Sequence, residues 1–199
     1  PTPTAIPNSD PTIAPVSDQL LQIGATVDVA FTASDPDGDP LAAVAASDNE
    51  GVASAVIAEP GIITLTGNGP GTTTITLNVD DGRSGTASTT FTVSVNAPPT
   101  IAPVADQLLL PGQTVDVPFT ATDPDGDPLA AVAASDDPGI VSAVVTAPGV
   151  VALTGSGPGT TTITLNVDDG RSGTASTRFA AAVNAAPTIE PVASQMLMP

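Results

Sequence analysis

The 199-residue chain has no cysteine, histidine, tryptophan, tyrosine or lysine, and each absence removes a class of chemistry. Without cysteine there is no disulfide framework, thiolate metal site or cysteine nucleophile. Without histidine and lysine, imidazole–metal sites, most general bases and Schiff-base chemistry are also gone. Catalysis would have to run on carboxylates and hydroxyls alone, so the expectation is that the chain is not an enzyme. Aromatic side chains are limited to Phe31, Phe91, Phe119 and Phe179, which predicts a thin core. Basic side chains are limited to Arg83, Arg171 and Arg178, against 21 acidic ones, for a net charge of −18. Such a surface excludes nucleic acid, whose binding needs clustered Lys and Arg, and disfavours anionic lipid. No apolar run approaches the roughly 20 residues of a membrane span, so no membrane insertion is expected.

What is present is order of a repetitive kind. Apolar residues make up 41% of the chain and fall in alternating runs, which argues against the disorder that so acidic a composition would otherwise suggest. Self-alignment shows "PTIAPVSDQ" at Pro11, "PTIAPVADQ" at Pro99 and "PTIEPVASQ" at Pro187, a step of 88 residues without a gap. "DPDGDPLAAVAASD" recurs letter for letter at Asp35 and Asp123, and "GPGTTTITLNVDDGRSGTAST" at Gly69 and Gly157. The reading is two complete repeats, 11–98 and 99–186. Residues 1–10 are a linker or the end of a preceding repeat, and 187–199 the first strand of a third.

Within a repeat the apolar period is two. In "ATVDVAFTA", Val27, Val29, Phe31 and Ala33 share a face; in "TTTITLNVD", Ile75, Leu77 and Val79 do; in "GTASTTFTVSV", Phe91, Val93 and Val95. This alternation marks strands with one buried side, and the Gly/Pro/Asp punctuation between them marks turns. The spacing predicts seven strands: A (Thr12–Val16 with Gln19–Ile23), B (Ala25–Ser34), C (Leu41–Ser47), D (Val52–Ala58), E (Gly61–Thr66), F (Thr72–Asp80) and G (Gly85–Val95). The predicted fold class is all-β: tandem seven-stranded immunoglobulin-like sandwiches arranged end to end.

Strand order then gathers the aspartates. The B–C, D–E and F–G loops share the end where the chain enters a repeat, which collects Asp35, Asp37, Asp39, Asp80 and Asp81, and in the second repeat Asp123, Asp125, Asp127, Asp168 and Asp169. By parity Asp35 continues the inward row of strand B, and Asp81 that of strand F. Carboxylates so placed repel one another unless a cation lies between them. Asp-x-Asp-x-Asp presents alternate oxygens to one centre, the pattern of the first half of a calcium loop, so Ca2+ is the predicted metal. The twelfth-position glutamate of such a loop is missing, since Ala46 stands there. Other candidates to complete the shell are Asn96 in the stiff linker "SVNAPPTI", its counterpart Asn8, and Asp48 and Glu50 from the exit end of the first repeat.

The stretch "LNVDDGRSGTASTTFTVSVNAPPTI" resembles the F–G–linker portion of cadherin-like domains. Together with "DPDGD" after strand B, it resembles still more the tandem immunoglobulin-like repeats of large bacterial surface proteins and adhesins. The resemblance spans both repeats. It implies calcium between domains, with Asp123, Asp125, Asp168 or Asp169, and Asn96 at the matching positions. The linker motif is reduced to a single asparagine, which implies fewer ions per junction than in cadherins.

Competing readings are weaker. A plain turn accounts for Asp, Pro and Gly in "DPDGDP", but less readily for three alternate carboxylates. "GNGPG" lacks the lysine and helix of a phosphate loop. Outward threonines are ordinary in strands and do not require an ice-binding face. The adjacent pair Asp80 and Asp81 points to opposite faces, against an aspartyl hydrolase. Salt adaptation would spread acid evenly rather than gather it at loops. The expected role is an extracellular, cell-surface stalk or filament segment stiffened by calcium, partnered by neighbouring repeats or identical subunits in a head-to-tail array. The alternatives are an adhesive ligand-binding module or the accessory module of a secreted enzyme.

Overall fold

A computed structural model describes residues 7–185, 187, 189 and 190. The first repeat folds as β1 (Thr12–Ile13), β2 (Gln19–Gln22), β3 (Thr26–Ala30), β4 (Ala33–Ser34), β5 (Ala42–Ser47), β6 (Ala53–Glu59), β7 (Ile62–Gly67), β8 (Gly71–Asp80) and β9 (Thr86–Asn96). The second gives β10 (Thr100–Ile101), β11 (Gln107–Leu109), β12 (Thr114–Pro118), β13 (Ala121–Thr122), β14 (Ala130–Ser135), β15 (Val141–Ala147), β16 (Val150–Gly155), β17 (Gly159–Asp168) and β18 (Thr174–Val183). Each strand of the second set starts 88 residues after its counterpart. The strand expected over 187–199 lies, apart from residues 187, 189 and 190, outside the described residues.

Each repeat is a two-sheet sandwich. One sheet runs β2-β9-β8-β5, with β2 parallel to β9; the other runs β3-β7-β6, all antiparallel. The second repeat has the same orders, β11-β18-β17-β14 and β12-β16-β15. The alanine-rich segment after the aspartate loop is strand β5, paired with β8 from Ala42↔Asp80 to Ser47↔Ile75.

Strand A forms in the two parts expected of it, whereas strand B, expected to be continuous, is divided. Strand A becomes β1, paired with β4, and β2, which crosses to the other sheet. Pro15 lies between them and has no N–H for a ladder, so the switch falls where a strand is weakest. Strand B breaks at Phe31–Thr32, because the Phe31 N–H donates to the Gly61 carbonyl while the Thr32 carbonyl accepts from Ala14. Its neighbours change, and the ladder changes with them.

The core follows the alternation. Ile63, Leu65, Ile75, Leu77, Phe91, Val93 and Val95 form one buried cluster with Leu21, Val52 and Ala53. Of the inward row of strand B, Val29 and Phe31 pack against it, but Val27 remains 38% exposed. The small side chains leave an apolar cleft of about 470 Å³ beside Phe31, Leu41, Ala43, Ile57 and Val79, and one of about 480 Å³ at the matching place in the second repeat.

The molecule forms two compact units. The first runs through Pro99 and also takes in Asp123–Pro128 and Asp169–Gly173; the second comprises Thr100–Thr122, Leu129–Asp168 and the chain from Thr174. The aspartate loops of the second repeat therefore belong to the first unit, together with Asn96 and Ala97.

Candidate metal centre

The B–C loop builds itself around Asp35. Gly38, at φ +79°, donates its N–H to the Asp35 carbonyl and closes a turn. The Asp35 Oδ1 accepts the N–H groups of Asp37 at 2.8 Å and Asp39 at 3.2 Å. The turn expected from Asp-Pro-Asp-Gly is thus formed, and it is also what draws the three carboxylates together. One oxygen from each of Asp35, Asp37 and Asp39 lies within 4.8 Å of the others, and Asp123, Asp125 and Asp127 repeat the arrangement. Two oxygens bound to one calcium ion at about 2.3–2.6 Å stand no more than about 5 Å apart, so the spacing suits a hard divalent ion.

The F–G loop is held by a different carboxylate. Asp81 is 2% exposed, as parity predicts, and its Oδ1 accepts the N–H groups of Arg83 at 2.6 Å and Gly85 at 2.9 Å. Asp80 turns outward and accepts the Gly82 N–H at 2.7 Å. In the second repeat Asp169 Oδ1 accepts from Arg171 at 2.7 Å and Gly173 at 2.9 Å. Its Oδ2 accepts the buried Asn96 amide at 2.7 Å, and the Ala97 N–H donates to Asp125 Oδ2 at 2.8 Å. Asn8 and Ser9 repeat both contacts on Asp81 and Asp37, each at 2.7 Å.

The predicted residues therefore divide. Asp35, Asp37 and Asp39, and Asp123, Asp125 and Asp127, come together as carboxylate triads. Asp80, Asp81, Asp168 and Asp169 lie outside both triads, as do Asp48 and Glu50 in the exposed turn between β5 and β6. Asn8 and Asn96 sit against the F–G carboxylates as donors.

The arginines are what sequence reasoning missed. Arg83 Nη2 lies 3.1 Å from Asp39 Oδ1, and Arg171 Nε lies 3.1 Å from Asp127 Oδ1. A cation does lie between the two loops, and it is a guanidinium. The signal was available: two of only three basic residues in the chain occupy the same place in "DDGRSG".

Oxygens remain over. Asp35 Oδ2 and Asp39 Oδ2, Asp123 Oδ2 and Asp127 Oδ2, and Asn96 Oδ1 are buried without a hydrogen-bond partner. Asn96 is 2% exposed and lines a polar cavity of about 200 Å³ with Asp125, Asp127, Arg171 and Thr72. Buried acceptors without donors are costly, and a cation is the partner that carboxylate oxygens suit. The residues fit a divalent ion bound by three carboxylates, with Asn96 Oδ1 beside the second triad.

Acid should loosen this end of each repeat. The Asn96 amide is the largest influence holding the Asp169 carboxyl below the usual carboxylate range; burial opposes it, and the Arg171 and Gly173 N–H groups assist. Asn8 does the same for Asp81. The Thr92 N–H, 2.7 Å from Asp18 Oδ1, lowers that carboxyl. A pKa lowered by folding contributes stability that is present above the unfolded value of about 3.9 and lost as pH falls through the lower folded value. Thermal melts should be level from neutral pH to about pH 4.5 and fall steeply below about pH 4. A midpoint unchanged down to pH 2 would show that these carboxylates contribute nothing.

The apolar clefts offer little chemistry: Glu59 is the one titratable residue lining the first, and none lines the second.

Comparison with known proteins agrees with this architecture. The sequence matches the bacterial Ig domain family over residues 2–94. Among solved structures, Sidekick-1 immunoglobulin domains 1–5 superpose with a TM-score of 0.58 at 14% identity, over 90% of this chain and 40% of that one. An I-band fragment of titin gives 0.51 at 14% identity, over 89% of this chain and 66% of that one. The chain thus spans between about two fifths and two thirds of those structures, and the likeness is one of fold. No curated protein matches. The first repeat matches the bacterial Ig domain family, and the second repeats its loops and strands letter for letter over long stretches, so the chain is a tandem of immunoglobulin-like sandwiches.

Proposed function

We propose that the chain is a segment of an extracellular stalk of a bacterial surface protein or adhesin, a structural spacer that binds Ca2+ at its aspartate triads and is stiffened by it. The observation that carries this reading is the set of buried, partnerless oxygens on Asp123, Asp127 and Asn96, gathered beside an exposed Asp125. Repetition of the same domain supports a role set by length, since neither repeat carries a divergent loop that would mark a binding tip. Each triad offers three carboxylates, fewer oxygens than the six to eight that calcium takes, with water supplying the rest. That shell suits the range of about 10⁻⁴–10⁻³ M typical of extracellular modules. Such a site fills outside the cell and stays empty in the cytosol. Among the described residues no helix is long and apolar enough to cross a membrane.

Calorimetric titration with CaCl2 tests the binding, and small-angle scattering with and without chelator tests the stiffening. The expected result is calcium uptake by both triads and a scattering profile that broadens towards flexible conformers when calcium is stripped. A heat of dilution only, or identical profiles, overturns the reading.

A further inference from the structure

Resting on that calcium reading, we infer that Arg83 and Arg171 are affinity-setting residues: each is a built-in monovalent competitor that shares its aspartate with the divalent ion and holds the loop when the ion is absent. The guanidinium of Arg83 takes one oxygen of Asp39, and the Asp39 side chain is only 8% exposed; that of Arg171 takes one oxygen of Asp127, at 12%. In both aspartates the second oxygen is buried and without a partner. Arginine and metal thus address opposite oxygens of one carboxylate. A third buried acceptor points to a ligand independently of the triad. Asn96 Oδ1 has no donor, and it lines the same cavity as Asp125, Asp127 and Arg171.

The physical consequence has two parts. A positive charge beside a divalent ion repels it, and a carboxylate paired to arginine is a poorer ligand. Both weaken calcium binding. In the absence of calcium the same arginine offsets part of the repulsion among three carboxylates, so the loop closes on its own. The arginines are 66% and 51% exposed, so the pairs are weak and able to yield to a stronger cation. The backbone of the arginine is a separate device: the Arg171 carbonyl accepts the Gln22 amide at 2.8 Å, which a side-chain substitution leaves in place.

The test is calorimetric titration of CaCl2 into the chain and into the double variant Arg83→Gln/Arg171→Gln, with thermal melts in chelator and in calcium. Arg178→Gln, on the exposed face of β18, is the control. The expected result is a calcium Kd about tenfold tighter in the double variant, equivalent to about 1.4 kcal/mol. A lower melting point in chelator and a larger rise on adding calcium should accompany it. Equal affinities in variant and parent would overturn the inference and leave the calcium reading standing. Binding in the variant but not in the parent would support the inference and overturn the calcium reading for the native chain. Binding in neither overturns both. The single variants Arg83→Gln and Arg171→Gln carry the same test should the double variant not fold in chelator.

Discussion

Replacing Gly173 with alanine is expected to lower the melting temperature by about 10 °C or more. A Cβ at this position would overlap Asp169 Oδ2 and approach Pro98 Cα to 2.9 Å. The carboxylate cannot step aside cheaply, because the same oxygen accepts the Asn96 amide and its partner accepts two backbone N–H groups. Overpacking of this kind costs about 1–3 kcal/mol, and the broken hydrogen bonds place the effect towards the upper end. In a domain of this size about 1 kcal/mol moves the midpoint by about 4–8 °C. Gly85→Ala meets the same obstacle at Asp81 in the first repeat. Gly82→Ala is the contrast: nothing lies within 4 Å of its Cβ, and only the φ of +73° is disfavoured, so a smaller loss is expected. Differential scanning calorimetry of the three variants decides the matter, and equal losses would mean that the buried carboxylate is not the anchor described.

A loss of stability on stripping calcium is the second large effect expected of the proposed sites. A ligand at a hundred times its Kd stabilises the folded state by about 2.7 kcal/mol, which corresponds to about 10–20 °C in a domain of this size. Melts at about 10 mM calcium and in chelator should differ by that amount for sites with a Kd of about 10⁻⁴ M, and by about half of it for sites of about 10⁻³ M, the two ends of the range of extracellular modules. Magnesium should do less, since it demands a tighter octahedron and gives up its water reluctantly. The variant Asp39→Asn/Asp127→Asn should lose most of the shift, because it removes the charge from a carboxylate of each triad whose second oxygen is buried without a partner, while keeping its shape. A shift that persists in that variant would mean that calcium acts elsewhere on the surface.

How much of the site was legible is best seen at three residues. Asp81 was legible as inward-facing, since it continues the row Ile75, Leu77, Val79 and a strand alternates strictly. Its use was not: one oxygen caps the F–G loop and the other accepts a linker amide, and no pattern along the chain distinguishes that from metal ligation. Asn96 was legible as a linker polar group suited to an ion. In the structure its amide nitrogen is committed to Asp169, and its oxygen is left free of donors. Arg83 carries no signal in the strand alternation, although its placement beside an acidic loop in a chain nearly devoid of cations is informative. Strand B was read as continuous because its apolar alternation is continuous. The break at Phe31 depends on which carbonyl lies opposite, and that is a property of the neighbouring strand.

Sequence alone determined the repeat, the order of the strands along the chain and the buried face of strands such as β8 and β9, because these depend on periods of two residues and of 88 that can be counted along the chain. Only the tertiary structure decided which carboxylate oxygens are committed and which are left over. Those pairings join loops brought close by sheet packing, such as Asn96 with Asp169 across 73 residues, and hydrogen-bond reach of about 3 Å is a finer scale than any spacing in a sequence can convey.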